Sequence, residues 1–503
     1  MFARVASAAV VGIEAAPIDV EVDVTVGLPC CNIVGLADAG IREGRVRIRG
    51  ALENSGFKLP PRRITVNLAP ADLRKDGAAY DVPIAVGMLC AAGTIDVAAL
   101  DGTLFVGELA LDGTLRTVRG ALPIAAWARA HRMRRLIVPP ENAGEAAVVG
   151  GAAVYAPRNL IELVAFLRGE TTLDPATADR ALADARPGGP DLADVRGQAV
   201  PRRALEIAAA GGHNLLFVGS PGSGKTMLAQ RLAGILPPLT FDEALETTMV
   251  YSIAGLLGGS PLIGARPFRA PHHSVSLAGL IGGGPHVRPG EISLAHNGVL
   301  FLDEMLEFPR TVLESLRQPL EDRTVTIVRA RRAVAYPSDF MLVAALNPCP
   351  CGYLGSTLRT CTCSNTTIGN YRAKLSGPLI DRIDLHVEVP ALPYQELSQA
   401  EGGESTAIVA ARVAAARERQ RGRAKVWNAR LTSAALARVA TNDRAGHQLL
   451  ERAADRLGLS ARAITRIRRV GRTIADLEGS AAVRSVHLAE ALQYRVLDRP
   501  LNP

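Results

Sequence analysis

Val218-Gly219-Ser220-Pro221-Gly222-Ser223-Gly224-Lys225-Thr226 decides the reading of this chain. From Gly219 to Thr226 it fits G-x-x-x-x-G-K-[ST], the loop that cradles nucleotide phosphates. Asn214 to Val218 reads as a short buried strand before it, and Met227 to Leu232 has helical spacing after it. The strand–loop–helix context that the motif needs is therefore present. Gly219, Ser220, Pro221, Gly222, Ser223 and Gly224 form the cradle, whose backbone N–H groups converge on phosphate at a helix N-terminus. Lys225 would reach the β- and γ-phosphates of ATP, and Thr226 would hold Mg²⁺.

Downstream, Val299-Leu300-Phe301-Leu302-Asp303-Glu304 is an apolar run ending in two acids. A buried parallel strand would place Asp303 at its tip, orienting Mg²⁺ through water, with Glu304 beside it to polarise the attacking water. Phe340 to Leu346 is a further buried strand, ending at Asn347. In Ser376 to Asp384, the Arg382 guanidinium would reach a neighbouring subunit's γ-phosphate and stabilise transition-state charge, which makes activity depend on a ring. This set of parts resembles the AAA+ ATPases. The resemblance implies that Asn347 is the sensor facing the γ-phosphate or the water, and that Asp194 to Gln198 approaches the adenine. It also implies an arginine on a lid helix that touches the γ-phosphate. Arg462, on a helix that Ser460 would cap, matches that place best, in cis or in trans.

Length and charge bound the rest. A chain of 503 residues has room for two or three domains with real cores. No apolar run approaches a membrane span, and the start lacks a charged and then apolar leader, so a cytoplasmic protein with no membrane partner is expected. Seven cysteines, an odd number, argue against a disulfide framework. The net charge of +8 suits a nucleic-acid partner; coding bias toward Ala, Arg and Gly would produce the same balance.

Several features inside the ATPase region carry their own chemistry. Thr324 to Val328 and Ala333 to Tyr336 bracket Arg329-Ala330-Arg331-Arg332. A hairpin with this basic tip would meet DNA phosphates through Arg329, Arg331 and Arg332, and a solvated turn carries equal weight. Cys349, Cys351, Cys361 and Cys363 form two C-x-C pairs whose four thiolates suit tetrahedral Zn²⁺. The spacing differs from the usual C-x-x-C, and reduced structural cysteines or an Fe–S cluster are the alternatives. His272-His273 lies in a large insert before the Asp-Glu strand and reads as a hydrogen-bonding pair, since adjacent side chains rarely share one ion.

The first third reads as α+β. Val20 to Val26 alternates as a half-buried strand, Arg45 to Asn54 is helical, and Arg63 to Leu68 is a strand. Leu104 to Leu111 and Thr114 to Val118 flank Asp112-Gly113, a tight-hairpin signal. Lys75 to Ala79, Gly107 to Gly113 and Leu136 to Pro140 resemble, in this order, the proteolytic domain of Lon-type proteases. That family cleaves with a Ser–Lys dyad, but its serine falls here on Ala79 and its lysine on Leu122. No protease activity is expected. Thr171 to Ala185 reads as weakly helical, and Arg186 to Pro190 as a breaker cluster. Arg412 to Arg423 is a basic helix, solvated or facing DNA.

The phosphate loop, the His-His insert, Pro289 to Gly298, the cysteine pairs and Ser376 to Asp384 together resemble the YifB/ComM family. These are magnesium-chelatase-like AAA+ proteins with a Lon-like N-terminal domain, and the match covers nearly the whole chain. The resemblance implies an α/β multidomain fold. Its parts are a Lon-like, ribosomal-S5-like α+β domain over 1–168, a linker over 169–192, an AAA+ core with a parallel sheet over 193–392 and a helical lid over 393–503. It further implies a hexameric ATP-driven DNA motor that migrates branches during natural transformation. The alternative is the motor subunit of a chelatase-type complex acting on a protein partner.

Overall fold

A computed structural model describes the chain except for residues 74, 76, 179–188, 259–260, 285–286, 330–331, 357–358, 394–395, 397–401, 442, 496 and 498–503. In the first third, β1 (Phe2–Val11) and β2 (Glu14–Thr25) form a long antiparallel pair turning at Gly12. Val20, Val22 and Val24 of β2 are buried while Glu21 and Asp23 point outward, the period of two that one covered face demands. β3 (Cys30–Val34), β4 (Arg63–Ala69), β5 (Thr103–Phe105), β6 (Arg135–Ile137) and β7 (Ala153–Tyr155) complete a sheet of order β3-β4-β2-β1-β5-β6-β7. Helix α1 (Ala39–Asn54) flanks it, and α2 (Asp81–Ala91), buried along its whole length, lies between α1 and the β1–β2 pair, with α4 (Ala143–Val149) and α5 (Leu160–Leu167) later in this region.

Three local readings are corrected here. Helix α1 starts six residues before Arg45, because the Asp38 side chain accepts from the Ile41 N–H at 2.8 Å and caps it. The run from Leu104 to Leu111 is split. Its start joins the large sheet as β5, and only Glu108–Leu109 pairs with Leu115–Arg116 across the Asp112-Gly113 turn. Thr171 to Ala178 forms no helix; Pro175 cannot donate a helical hydrogen bond and pushes Asp174 out of the α region. Residues 179–185 of that stretch, and Arg186 to Gly188 of the breaker cluster, lie outside the described residues, as do Asp76 and Arg331.

The ATPase region is a five-stranded parallel sheet. It contains β8 (Leu215–Val218), β9 (Phe268–Arg269), β10 (Val299–Leu302), β13 (Met341–Leu346) and β14 (Leu385–Glu388), in the order β9-β10-β13-β8-β14. Strands β8, β10 and β13 are buried on both faces, which is why their sequences are unbroken apolar runs. A separate hairpin, β11 (Thr324–Arg329) with β12 (Arg332–Pro337), buries Val325, Ile327, Val334 and Tyr336 at its base. Ile13 of the β1–β2 turn packs against the same cluster. A second junction joins Leu245 and Met249 of α8 (Phe241–Ala254) to the cluster that buries Leu122 on α3 (Ala121–Ala130).

The C-terminal helices share a hydrophobic core with the sheet. α9 (Thr406–Ala424) and α12 (Ala461–Leu477) pack on α6 (Ala199–Gly211), beside α10 (Ser433–Val439), α11 (Arg444–Leu457) and α13 (Ser485–Gln493). The basic stretch Arg412 to Arg423 is largely committed to this packing. Arg417 is buried, donates from Nε at 2.9 Å to the Ala209 carbonyl of α6 and lies 3.8 Å from the Trp427 ring centre. Arg412 pairs with Glu206 and Glu404, and Arg423 with Asp476. These three arginines are structural ties, not a solvated or DNA-facing row.

Candidate nucleotide-binding site

The phosphate loop leaves the C-terminal end of β8 and enters α7 (Lys225–Ile235). Gly224 holds φ +91°, a left-handed value that lets the loop close directly into the helix. Lys225 Nζ donates to the carbonyls of Gly219 and Ser220, each at 2.8 Å, and to Asn347 Oδ1 at 3.2 Å. Burial lowers its pKa, with Asp303 and Glu304 opposing. A buried ammonium held only by neutral oxygens calls for an anion. Thr226 Oγ1 donates to Asp303 Oδ2 at 2.6 Å, so a hydroxyl and a carboxylate stand together as oxygen donors for a hard cation. Glu304 follows at φ +48°, exposed, with its N–H on Asp303 Oδ1 at 2.9 Å. The donor set fits MgATP. Lys225 and the loop N–H groups would hold phosphate, Thr226 and Asp303 would hold Mg²⁺, and the ion would neutralise charge on the phosphates.

Gln198 completes this end. The sequence does not single it out, although the AAA+ resemblance places its stretch near the adenine. Its Nε2 donates to the Pro390 carbonyl at 2.7 Å and to the Ser223 carbonyl at 3.4 Å, tying the segment before α6 to the phosphate loop. In the sequence, only its place just before a helix points to it; its φ of +51° comes from the structure.

Arg382 and Arg462 lie elsewhere. Both line a cleft of about 270 Å³ with Arg323, Arg430, Arg466 and Arg469. Asn214, Met341 and Asp384 in its wall precede or begin β8, β13 and β14, so the cleft opens at the N-terminal ends of the strands. The phosphate loop is at the other ends, a four-residue strand or about 13 Å away. Arg382 pairs with Glu321 and donates to the Pro378 carbonyl at 2.7 Å, and its buried Nε has no partner among the described residues. Burial pushes Arg430 down to about 10 against the pull of Asp339, and lowers Arg469. Arg466 donates to Asp384 Oδ1 at 2.6 Å, while Asp384 Oδ2 accepts from the Asn214 N–H. Burial opposes ionisation of Asp384, but Arg466 and His213 hold its carboxyl well below the usual range. This network fixes the helix of Arg462 to the sheet. Its anchors, Asn214 and Asp384, stand at the ends of the stretches Asn214 to Val218 and Ser376 to Asp384, and nothing in those stretches shows that they meet.

Of the remaining candidates, Cys349, Cys351, Cys361 and Cys363 converge, their sulfurs all within 4.8 Å of one another. His272 bonds Ser274 Oγ at 2.8 Å and its ring lies 4.0 Å from that of His273. The backbones of Arg329 and Arg332 pair at the hairpin end. Ala79 accepts from the Gly107 N–H, and Leu122 is fully buried.

A phosphate loop and an Asp-Glu strand on a parallel sheet, with packed C-terminal helices, define a P-loop nucleoside triphosphatase of AAA+ type. Comparison with known proteins narrows this. Family models described as magnesium chelatase subunit ChlI match residues 191–397, subunit ChlI of Mg-chelatase 20–142, and the ChlI C-terminal part 403–495. The chain is 46% identical over 505 residues to competence protein ComM of Haemophilus influenzae, covering 99% of this chain and 98% of that one. It is 45% identical over 495 residues to the protein YifB of Salmonella typhimurium, covering 98% and 97%. The 67 kDa magnesium-chelatase subunit of Chlorobaculum parvum is 28% identical over 159 residues, 31% of this chain and 23% of that one. The chain belongs to the YifB/ComM family of magnesium-chelatase-like proteins, and that membership implies ATP hydrolysis. No helix among the described residues is long and apolar enough to cross a membrane.

Proposed function

We propose that the protein is an ATP-driven motor on DNA, assembled as a ring, most simply a hexamer, and migrating branched or invading strands in a sequence-independent way. The observation that carries this reading is the separation of the phosphate loop from Arg382 and Arg462 by the length of the sheet. On this reading neither arginine serves its own subunit's nucleotide, and each is available to a neighbour's. In that arrangement Lys225 binds phosphate, Glu304 takes the proton of the attacking water, and Asn347 orients that water or the γ-phosphate. Arg382 of one copy, released from Glu321, neutralises the charge that develops in the next.

DNA is favoured as the partner by the competence-protein name of the Haemophilus influenzae relative, by the net charge and by the basic end of the β11–β12 hairpin. The first third serves as a Lon-like scaffold without peptidase chemistry, since Ala79 and Leu122 replace the dyad. Residues 1–168, 169–192, 193–392 and 393–503 are its scaffold, linker, motor and lid, in a cytoplasmic setting. The test is the ATPase rate with and without forked DNA for the parent and Glu304→Gln, alongside strand displacement. Stimulation and displacement that both vanish in the variant support the motor. A DNA-indifferent ATPase without displacement overturns it and selects a chelatase-type protein partner, the reading favoured by the magnesium-chelatase matches.

A further inference from the structure

We propose that Cys349, Cys351, Cys361 and Cys363 hold one zinc ion as a tetrathiolate centre, and that this centre fixes the loop between the sensor strand and the phosphate loop so that ATP hydrolysis depends on the metal. The sulfur distances argue for a single ion. Cys349 and Cys351 lie 3.4 Å apart, and Cys361 lies 3.6 Å from each. Four thiolates around zinc at about 2.3 Å stand about 3.8 Å from one another. A disulfide would need about 2.05 Å. An Fe–S cluster would place its ligands on separate irons and so spread them more widely.

The backbone is arranged for thiolates. Cys361 Sγ accepts the Cys363 N–H at 3.5 Å. Donors of this kind orient metal ligands and offset their charge. Cys349 is fully buried, and Arg372, whose Nε donates to the Pro348 carbonyl at 3.2 Å, lies close enough to feel its charge. A guanidinium there balances part of the excess negative charge of four sulfurs on a divalent ion.

Position supplies the coupling. Cys349 lies two residues beyond Asn347, the side chain that reaches Lys225. Gly352 then turns back at φ +83° and packs on the phosphate loop so closely that a Cβ there would stand 2.5 Å from Pro221 Cδ. The loop thus touches the nucleotide site from two sides. The centre clamps Asn347 in register with Lys225 and keeps Pro221 backed. The zinc measurement does not depend on the DNA reading.

The experiment is metal analysis of the full chain purified without added metal or an affinity tag that binds metal. One zinc per chain is expected, lost from the Cys361→Ser/Cys363→Ser double variant and kept by Cys30→Ser. Cobalt exchanged into the parent should show the visible bands of tetrahedral thiolate coordination. Release of the zinc by a mercurial, followed with a zinc dye and circular dichroism, should lower ATP hydrolysis about 10–100-fold while the helix signal stays. That release uses the parent, so a variant that fails to fold leaves the test intact. Substoichiometric zinc, iron in its place, or zinc retained by the double variant overturns the site. Unchanged hydrolysis after release overturns the coupling.

Discussion

The two ends of the parallel sheet differ in what they lack. At the C-terminal ends of β8, β10 and β13, Lys225, Thr226, Asp303, Glu304 and Asn347 form the parts for binding and hydrolysing a nucleotide, yet no arginine among the described residues joins them. At the N-terminal ends, arginines crowd a cleft with no phosphate loop. Arg382 is held there by Glu321, and Arg466 by Asp384. On the proposed reading, each end is half of a reaction centre. Parallel strands force this separation, because every strand exits at the same edge. In the proposed ring, a second copy of the chain would join the halves.

The largest effect should come from the arginine end. Arg382→Ala should lower hydrolysis by about 10³–10⁵-fold, the range for a trans-acting arginine, with nucleotide affinity per subunit almost unchanged by equilibrium binding. A loss of affinity equal to the loss of rate would break the comparison. At the other end, Glu304→Gln should keep ATP bound and slow hydrolysis by about 10²–10⁴-fold, readable in a single-turnover assay.

How much of this is legible beforehand follows from how local each signal is. The phosphate loop and the Asp-Glu strand are contiguous motifs, and the family follows from the phosphate loop together with the His-His insert, Pro289 to Gly298, the cysteine pairs and Ser376 to Asp384. The relation between Arg382 and the phosphate loop is not contiguous. It depends on the strand order β9-β10-β13-β8-β14, which no spacing encodes. Arg417 shows the same limit. In a run of basic residues it looks solvated, and only tertiary packing buries it against Ala209 and Trp427. The sequence makes α1 look shorter than it is, because Gly40 and Gly44 weaken helical propensity, which the Asp38 cap offsets.

Two smaller effects sharpen how firmly the ends are tied. Arg417→Met should destabilise the chain by about 2–3 kcal/mol in denaturant unfolding, since it removes charged hydrogen bonds and the contact with Trp427. If stability is kept, α9 is not the strut that carries the lid. His386 sits on β14, where burial and then Arg495 push its pKa down to about 3. It therefore binds fewer protons folded than unfolded, so stability rises with pH between about 3 and the ordinary value of 6.5. On acidification below 6.5 the parent should lose up to about 1.4 kcal/mol per pH unit from this group. His386→Asn should flatten that slope in chemical denaturation at pH 5 and pH 7.

The most direct measurement mixes two inactive chains. Lys225→Ala keeps Arg382 but cannot hold phosphate, and Arg382→Ala keeps the phosphate loop but lacks the arginine. If hydrolysis is shared between copies, the mixed assembly contains intact composite sites, and ATPase activity should rise well above the sum of the separate variants. A mixture no more active than that sum, with mixed oligomers present, would contradict the account.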